Sequence, residues 1–465
     1  MFSLTAQQLG TDGSGASGTL GLLSGQFADG AINSSVNNSS LTIDSASGTG
    51  DAASTSLAAS DNTISTTSTV NSATVVFSDD ISADLAGDLA GSGEGFSQAD
   101  GEIITLDRGI LSGGTELLSV DGGASVVAST QAIEGDALSS GSTIGGNTIS
   151  VELGDSIGSA DAEDSLVTVD GNDLRSSLTG NLANVGTDVT VDTAFVGSAG
   201  VFNQQQIGDG GAEVAALTAN TDASALSVTL GDSTNSSLVV SDNTIGASAR
   251  GNVATLDGIG VDSILADGTS LSIDATTSIT ADANGGRINI NDGGTTEFTD
   301  DTTATDGTNF GFVAGTQQAV NGGDGNTSGA ITASNNTNDL SVTGTGALTG
   351  SSISVEDNTA FAIASANDGG TAIDLNATNI TATAGLASDQ NLTETDVTAS
   401  LAGTPAFAVS ADVDGNVSDS SVLVDDNLSV AEASGNTGRT TLSADADTAL
   451  LSSSEIDRAT AGFVV

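Results

Sequence analysis

The sequence has no cysteine, histidine, tryptophan, tyrosine or lysine, and one proline and one methionine among 465 residues. Without histidine and cysteine there is no imidazole base, no thiolate nucleophile and no ordinary ligand set for zinc, haem or an iron–sulfur cluster. Without lysine there is no Schiff base and no P-loop phosphate clamp. A glycosidase built on Asp and Glu stays formally open, but the missing Trp and Tyr rings weaken it. We therefore expect a protein that is not an enzyme.

Positive charge is also scarce: the sequence has 60 Asp and Glu residues but only six arginines, which gives a net charge of −54. The arginines are Arg108, Arg175, Arg250, Arg287, Arg439 and Arg458. Six scattered cations cannot supply the basic surface that nucleic acid or an anionic membrane requires. Divalent cations and salt are the expected partners, since self-repulsion at this charge density destabilises a compact state.

Long apolar runs are absent as well. No stretch approaches the roughly 18 apolar residues of a membrane span, so we expect no membrane insertion. Residues 1–8 lack the basic region and apolar core of a Sec signal peptide. We expect an extracellular or cell-surface location reached by another route, or a place in a virion.

The apolar residues occur in short runs with a period of two, as in 226–230 and 340–343, and Gly, Asn and Asp clusters separate them. This pattern predicts an all-β chain, folded as an elongated parallel β-solenoid with Val, Ile, Leu and Ala stacked inside. Tandem small β-sandwiches are the alternative. With rungs of roughly 20 residues and about 4.8 Å per rung, the solenoid would form a rod of about 110 Å.

Two sets of anchors mark an internal repeat. Pairs of asparagines stand nine residues apart at Asn62 and Asn71, Asn172 and Asn181, Asn243 and Asn252, Asn358 and Asn367, and Asn427 and Asn436. Upstream, a glutamine follows an apolar residue by four positions at Gln8, Gln131, Gln205, Gln317 and Gln390. These anchors predict one β-repeat array over residues 1–465, with blocks at about 4–73, 127–183, 201–254, 313–369 and 386–438.

The role of the asparagines stays open at the level of sequence. Asparagines at equivalent positions could form side-chain ladders between rungs. They could equally be residues that tolerate a turn conformation.

The Gln anchors and the Asn-Thr-Ile sequences that begin at Asn62 and Asn243 resemble the Asn- and Gln-anchored β-strand repeats of large acidic surface and fibre proteins of bacteria and phages. The resemblance covers the five blocks. It implies a structural filament, a matrix component or an adhesive fibre.

One short segment has the composition of a hard-cation loop, with Asp412, Asp414 and Asn416 followed by Asp419. Alternating oxygen ligands around a glycine turn suit Ca²⁺, which is the one cofactor expected. The alternative is chance, because Asp-x-Asp-Gly strings are common in so acidic a chain.

These observations predict a non-catalytic structural protein that self-assembles into an extracellular filament, sheath or matrix as a homo-oligomer or polymer. A phage virion fibre or tailspike, with a receptor-binding or carboxylate glycosidase role, is the alternative. Strand-like residues 1–4 and 461–465 are expected to contribute to subunit contacts, with cations screening the charge.

Overall fold

The structure is a computed structural model. It describes residues 2–6, 20–44, 52–81, 95–97, 103–107, 117–121, 124–153, 161–191, 194–196, 198–208, 214–263, 272–274, 278–282, 287–291, 312–323, 326–446 and 448–461.

The described chain winds into five stacked coils, in which each strand pairs in parallel with the equivalent strand of the next coil. Thr63 pairs with Asp173, which pairs with Thr244 in the following coil, and Thr244 pairs with Thr359. Strands make up most of the chain and no α-helix is described. The prediction of an all-β parallel solenoid is confirmed.

The first coils are built as follows. A short strand, β1 (Phe2–Ala6), precedes coil 1, which contains β2 (Leu20–Ala28), β3 (Asn33–Asn37), β4 (Ser40–Asp44), β5 (Ala52–Ala53), β6 (Ser56–Ser60) and β7 (Thr63–Ile81). Between coils 1 and 2 lie β8 (Gly95–Ser97), β9 (Ile103–Asp107) and β10 (Leu117–Asp121). Coil 2 contains β11 (Ala124–Ile133), a 3₁₀ helix (Gly135–Ser139), β12 (Gly141–Gly145), β13 (Thr148–Glu152), β14 (Ala162–Glu163), β15 (Leu166–Asp170) and β16 (Asp173–Val191).

The later coils repeat the same order. Coil 3 contains β17 (Ala194–Val196), β18 (Ser198–Ile207), β19 (Ala216–Asp222), β20 (Ala225–Leu230), β21 (Ser233–Thr234), β22 (Ser237–Ser241) and β23 (Thr244–Ser263). Between coils 3 and 4 lie β24 (Ser272–Asp274), β25 (Ser278–Asp282) and β26 (Arg287–Asn291). Coil 4 contains β27 (Phe312–Asn321), β28 (Gly329–Gly344), β29 (Leu348–Thr349), β30 (Ser352–Glu356) and β31 (Thr359–Asn376). Coil 5 contains β32 (Asn379–Thr393), β33 (Thr395–Val413), β34 (Val417–Ser418), β35 (Ser421–Asp425) and β36 (Leu428–Asp445), and β37 (Thr448–Ala461) follows it.

Stacking of equivalent strands produces five parallel sheets, which we call A to E. Sheet A contains the long strands β1, β7, β16, β23, β31 and β36. Sheet B contains β2, β11, β18, β27, β32 and β37, and the short strands β8, β17 and β24 pair in series with the first residues of β32 in the same sheet. Sheet C contains β3, β4, β12, β13, β19, β20, β28 and β33, sheet D contains β5, β14, β21, β29 and β34, and sheet E contains β6, β15, β22, β30 and β35. A separate sheet of β9, β10, β25 and β26 combines parallel and antiparallel pairs. The chain follows the order B, C, D, E, A in every coil.

Each coil is much larger than a rung of roughly 20 residues, so the predicted rung length was wrong. Equivalent asparagines are 71 residues apart from Asn172 to Asn243 and 69 from Asn358 to Asn427. The spacings of 110 and 115 residues arise because longer segments, residues 82–123 and 264–311, connect the sheet A strand of one coil to the long sheet B strand of the next. Five layers at about 4.8 Å give a stack of about 24 Å, so the described body is broad rather than a 110 Å rod.

The interior consists of apolar columns that cross the coils. Ile149, Leu226 and Leu340 occupy one column of sheet C, and each is fully buried. Burial of one such side chain contributes roughly 1.5–3 kcal/mol. Three apolar clusters fill the interior of the coils. The first lies where sheet A faces the start of sheet B, and the second lies where sheet A faces the end of sheet B and the start of sheet C. The third lies between sheets C, D and E and the start of sheet A.

The four predicted blocks from residues 127, 201, 313 and 386 each begin in a sheet B strand and end in the sheet A strand of the same coil. The block from residue 4 begins in β1, which pairs with β7 and so lies one layer before coil 1. Among the described residues, no helix has the length and apolar character needed to cross a membrane.

Candidate functional site: stacked ladders and an open coil edge

The corner between sheets E and A carries an asparagine ladder. Asn62, Asn172, Asn243, Asn358 and Asn427 lie one above another, and Nδ2 of each of the first four donates to Oδ1 of the asparagine in the next coil at 2.9 Å. The same Oδ1 also accepts the backbone N–H of the asparagine in the preceding coil, at 3.0 to 3.2 Å. Asn243 Nδ2 further donates to the carbonyl of Val169 in the coil before it. Each asparagine therefore connects neighbouring coils.

The left-handed turn at this corner belongs to the preceding residue. Asp61, Gly171, Asp242, Asp357 and Asp426 have φ between 50° and 65°, and none of the ladder asparagines has a positive φ. The asparagine side chains are therefore used for hydrogen bonding between coils, and Asp or Gly takes the strained backbone conformation.

A second asparagine ladder runs inside the coil, between sheets A and B. Its members are Asn71, Asn181, Asn252, Asn367 and Asn436, and each of the first four donates Nδ2 to Oδ1 in the next coil at 2.8 Å. Each Nδ2 also reaches across to a sheet B carbonyl, as Asn181 does to Gln206 at 3.0 Å.

A glutamine ladder on sheet B faces this second asparagine ladder. Its members are Gln26, Gln131, Gln205, Gln318 and Gln390, and Nε2 of each of the last four donates to Oε1 in the preceding coil at 2.8 Å. Each Nε2 also donates to a sheet A carbonyl, as Gln205 does to Val253 at 3.0 Å. Sheets A and B are therefore joined by hydrogen bonds in both directions, from the asparagines of sheet A to sheet B carbonyls and from the glutamines of sheet B to sheet A carbonyls.

Two of the predicted glutamine anchors differ from this ladder. Gln8 lies outside the described residues, and coil 1 contributes Gln26, which pairs in register with Gln131. In coil 4 the ladder residue is Gln318, while Gln317 pairs with Gln204 on the alternate set of strand positions. Neighbouring residues of a strand point to opposite faces, so an error of one position exchanges inside for outside.

A hydroxyl ladder at the corner between sheets D and E was not predicted from the sequence. Its members are Thr55, Ser165, Ser236, Ser351 and Ser420. The backbone N–H of each of the first four donates to Oγ of the residue in the next coil, at 3.0 to 3.2 Å. Each member stands seven residues before a corner asparagine, which was the available signal. Residues on both sides of this ladder line an open groove of about 890 Å³.

The corner before the asparagine ladder collects negative charge. Asp242, Asp357 and Asp426 occupy the same corner in successive coils, with Glu356 and Asp425 next to them. Desolvation and the neighbouring carboxylates of Asp242 and Asp426 raise the pKa of the Asp357 carboxyl. This exposed column therefore repels itself at neutral pH.

An ion pair lies on the outer face of sheet A. Arg175 Nε is 2.6 Å from Asp173 Oδ1, and its guanidinium lies 5.7 Å from the ring centroid of Phe361. Burial raises the pKa of Asp173, and Arg175 offsets part of that rise. The Phe361 ring crosses Gly246, where any Cβ would collide with it. This contact ties coil 2 to coil 4.

The four residues of the predicted Ca²⁺ loop lie on the exposed outside of coil 5. Asp412 is the penultimate residue of β33, the Asp414 N–H donates to the carbonyl of Gly344, and the carbonyl of Asn416 accepts the N–H of Leu348. Asp419 takes the left-handed corner after β34, with φ 51°. Within the described part of the chain, no group of three or more acidic side chains could hold a metal ion. Ca²⁺ binding stays a prediction from sequence.

Coil 5 presents an open edge on its sheet D and sheet E side. Val355 is fully buried and Val424, above it in the same column, is 48 % exposed; Ile353 is 1 % and Val422 45 % exposed. At coil 1 the first member of a sheet C column, Leu41, is 41 % exposed, although Ile149 next to it is fully buried. Strand β37 covers β32 of coil 5, and β1 covers part of β7 in coil 1. Both edges therefore present parts of apolar columns that are buried elsewhere.

In comparisons with known proteins, no family model, no curated protein and no solved structure matches this chain.

Proposed function

We propose that this chain is a non-catalytic structural protein, a self-assembling subunit of an extracellular filament, sheath or matrix. The observation that supports it best is the open edge of coil 5, where apolar columns of the interior reach the surface at Val422 and Val424. Unpaired strand edges beside exposed apolar side chains favour the addition of further strands.

The organisation of the interior supports the same proposal. The strands of each coil pair only with those of the neighbouring coils, and the same ladders recur at every step, so a stack of such coils has no built-in limit. The ladder amides of the interior bond from coil to coil. A non-catalytic role and a place outside the cell rest further on the composition, which lacks histidine, cysteine and lysine.

Charge sets the conditions under which assembly is expected. Every copy carries −54, so copies repel one another at low ionic strength. We expect NaCl or CaCl₂ to promote association by screening, with Ca²⁺ effective at lower concentration.

The test is to purify the chain and follow it by sedimentation velocity and negative-stain microscopy while NaCl and CaCl₂ are raised separately. Polymers or oligomers that grow with salt, and whose far-UV circular dichroism stays that of β-structure, support the proposal. A chain that remains monomeric across both titrations at micromolar concentration contradicts it.

A further inference from the structure

We propose that the coil-5 edge of one copy docks onto the coil-1 edge of a second copy of this chain, so that copies stack head to tail in one direction. The inference rests on the proposed function, since it assumes self-assembly, and it adds which surfaces meet and with what polarity. Three features of the two edges support this contact: the apolar columns, the direction of the corner ladders and the strands that already cover parts of the edges.

The two edges are the two ends of the same columns. The sheet E column that ends at Val424 in coil 5 begins at Ala59 in coil 1, and the column that ends at Val422 begins at Leu57. A coil 1 placed one layer beyond coil 5 would continue both columns. It would bury Val422 and Val424 as Ile353 and Val355 are buried one coil lower.

The corner ladders have a direction, and it decides which edges can meet. The backbone N–H of each corner asparagine donates to Oδ1 in the next coil, as Asn358 does to Asn427 at 3.2 Å. By the same geometry, Asn427 presents an N–H at the coil-5 edge, and Asn62 presents Oδ1 at the coil-1 edge. Head-to-tail stacking therefore brings a donor to an acceptor.

The hydroxyl ladder has the same direction. Ser351 donates its N–H to Ser420 Oγ at 3.0 Å, and Thr55 is the member in coil 1. Two coil-5 edges placed face to face would bring neither the Thr55 hydroxyl nor Asn62 Oδ1 to the N–H groups of Ser420 and Asn427, which would lose the acceptors that continue their ladders. A buried donor without an acceptor costs about 1–3 kcal/mol, so the face-to-face arrangement is disfavoured at both corners.

Docking in register exchanges two strands. Strand β2 of the incoming copy takes the edge of β32 that β37 covers within one chain, and β36 takes the edge of β7 that β1 covers. Each displaced strand pairs with a single sheet. The incoming coil pairs with sheets A to E together, so the exchange gains backbone pairing along sheets C, D and E. Such a contact is heterologous and open, which leads to a filament rather than a closed dimer.

The test uses one charged variant for each edge, with a control on the adjacent outward position of the same strand. Val424→Glu blocks the coil-5 edge, with Leu423→Glu as its control; Leu41→Glu blocks the coil-1 edge, with Thr42→Glu as its control. Sedimentation velocity is run at the salt concentration where the wild-type chain associates. The control variants are expected to associate as the wild type does, and each edge variant alone is expected to be monomeric.

An equimolar mixture of the two edge variants decides the direction. Head-to-tail docking predicts one heterodimer and no larger species, because only one intact pair of edges remains. Dimers of Leu41→Glu alone would show that coil-5 edges meet each other and would overturn the polarity. A mixture that stays monomeric, while the wild type associates, overturns it too.

The fold and the proposed function have their own readouts. Circular dichroism and thermal melting of each variant establish that the solenoid persists, and Val422→Glu serves as a second coil-5 variant if Val424→Glu melts early. A wild type and controls that never associate contradict the proposed function itself. Association that is insensitive to all the edge variants contradicts only the contact proposed here.

Discussion

Replacing Asn243 by leucine tests whether the corner ladder stabilises the coils. Asn243 is fully buried, donates Nδ2 to Asn358 Oδ1 and to the Val169 carbonyl, and accepts the N–H and Nδ2 of Asn172. In Asn243→Leu, the Asn172 N–H and the Val169 carbonyl lose these partners inside the protein. Asn358 Oδ1 keeps the backbone N–H of residue 243.

The expected cost follows from those two groups. A buried polar group without a partner costs about 1–3 kcal/mol, and the gain from added apolar surface offsets part of the total. We therefore expect Asn243→Leu to lower the free energy of unfolding by about 3 kcal/mol. The loss is measured by urea unfolding at fixed salt, followed by circular dichroism.

The matched control is Ser237→Leu. Ser237 points outward from sheet E, in a position that Leu166 fills in the coil below. An exposed leucine there should change stability by no more than about 0.5 kcal/mol. If the two variants unfold at the same urea concentration, the ladder contributes nothing measurable and our account of the asparagines fails.

Three further predictions concern single positions. The raised pKa of Asp357 means that its charge opposes folding at neutral pH, so the free energy of unfolding should rise as the pH falls from 7 toward the unfolded pKa of about 4. Asp357→Asn should be more stable than the wild type at pH 7, and its stability should depend less on pH. An unchanged pH profile would contradict this. Gly246→Val should destabilise by about 2 kcal/mol or more, because its side chain meets the Phe361 ring, and Phe361→Ala in the same chain should recover part of the loss. Asn235 has φ 49°, and Gly350 occupies the equivalent corner in the next coil. Asn235→Gly should therefore be tolerated, and Asn235→Val should lower the free energy of unfolding by about 1–2 kcal/mol, as measured by thermal or urea unfolding.

The sequence predicted the fold class because the period of two and the spacing of the asparagines are both consequences of stacking. Asn172 and Asn181 keep their nine-residue distance in every coil, since both belong to ladders that must stay in register. The size of a coil was not predicted, because the distance between equivalent residues does not by itself reveal how many turns of chain lie between them.

The remaining ladder members were hidden for two physical reasons. Serine is so abundant here that the hydroxyl ladder through Ser165 and Ser236 does not stand out from its surroundings. Glutamines also occur in adjacent positions, as at Gln317 and Gln318, and only the pairing of β27 with its neighbours decides which one faces inward. The exposed columns at Val422 and Val424 are a property of the stack, which a linear pattern cannot express.

The ladders between sheets A and B run in opposite directions. Asn181 donates toward the later coil and Gln205 donates toward the earlier one, so the amide dipoles of the two files are antiparallel. A single file of aligned amides would build a dipole that grows with every coil, as aligned peptide groups do in a helix. The dipoles of the two opposed ladders largely cancel, so the electrostatic field along this seam does not depend on the number of coils. Lengthening the stack therefore adds no dipolar penalty along this seam.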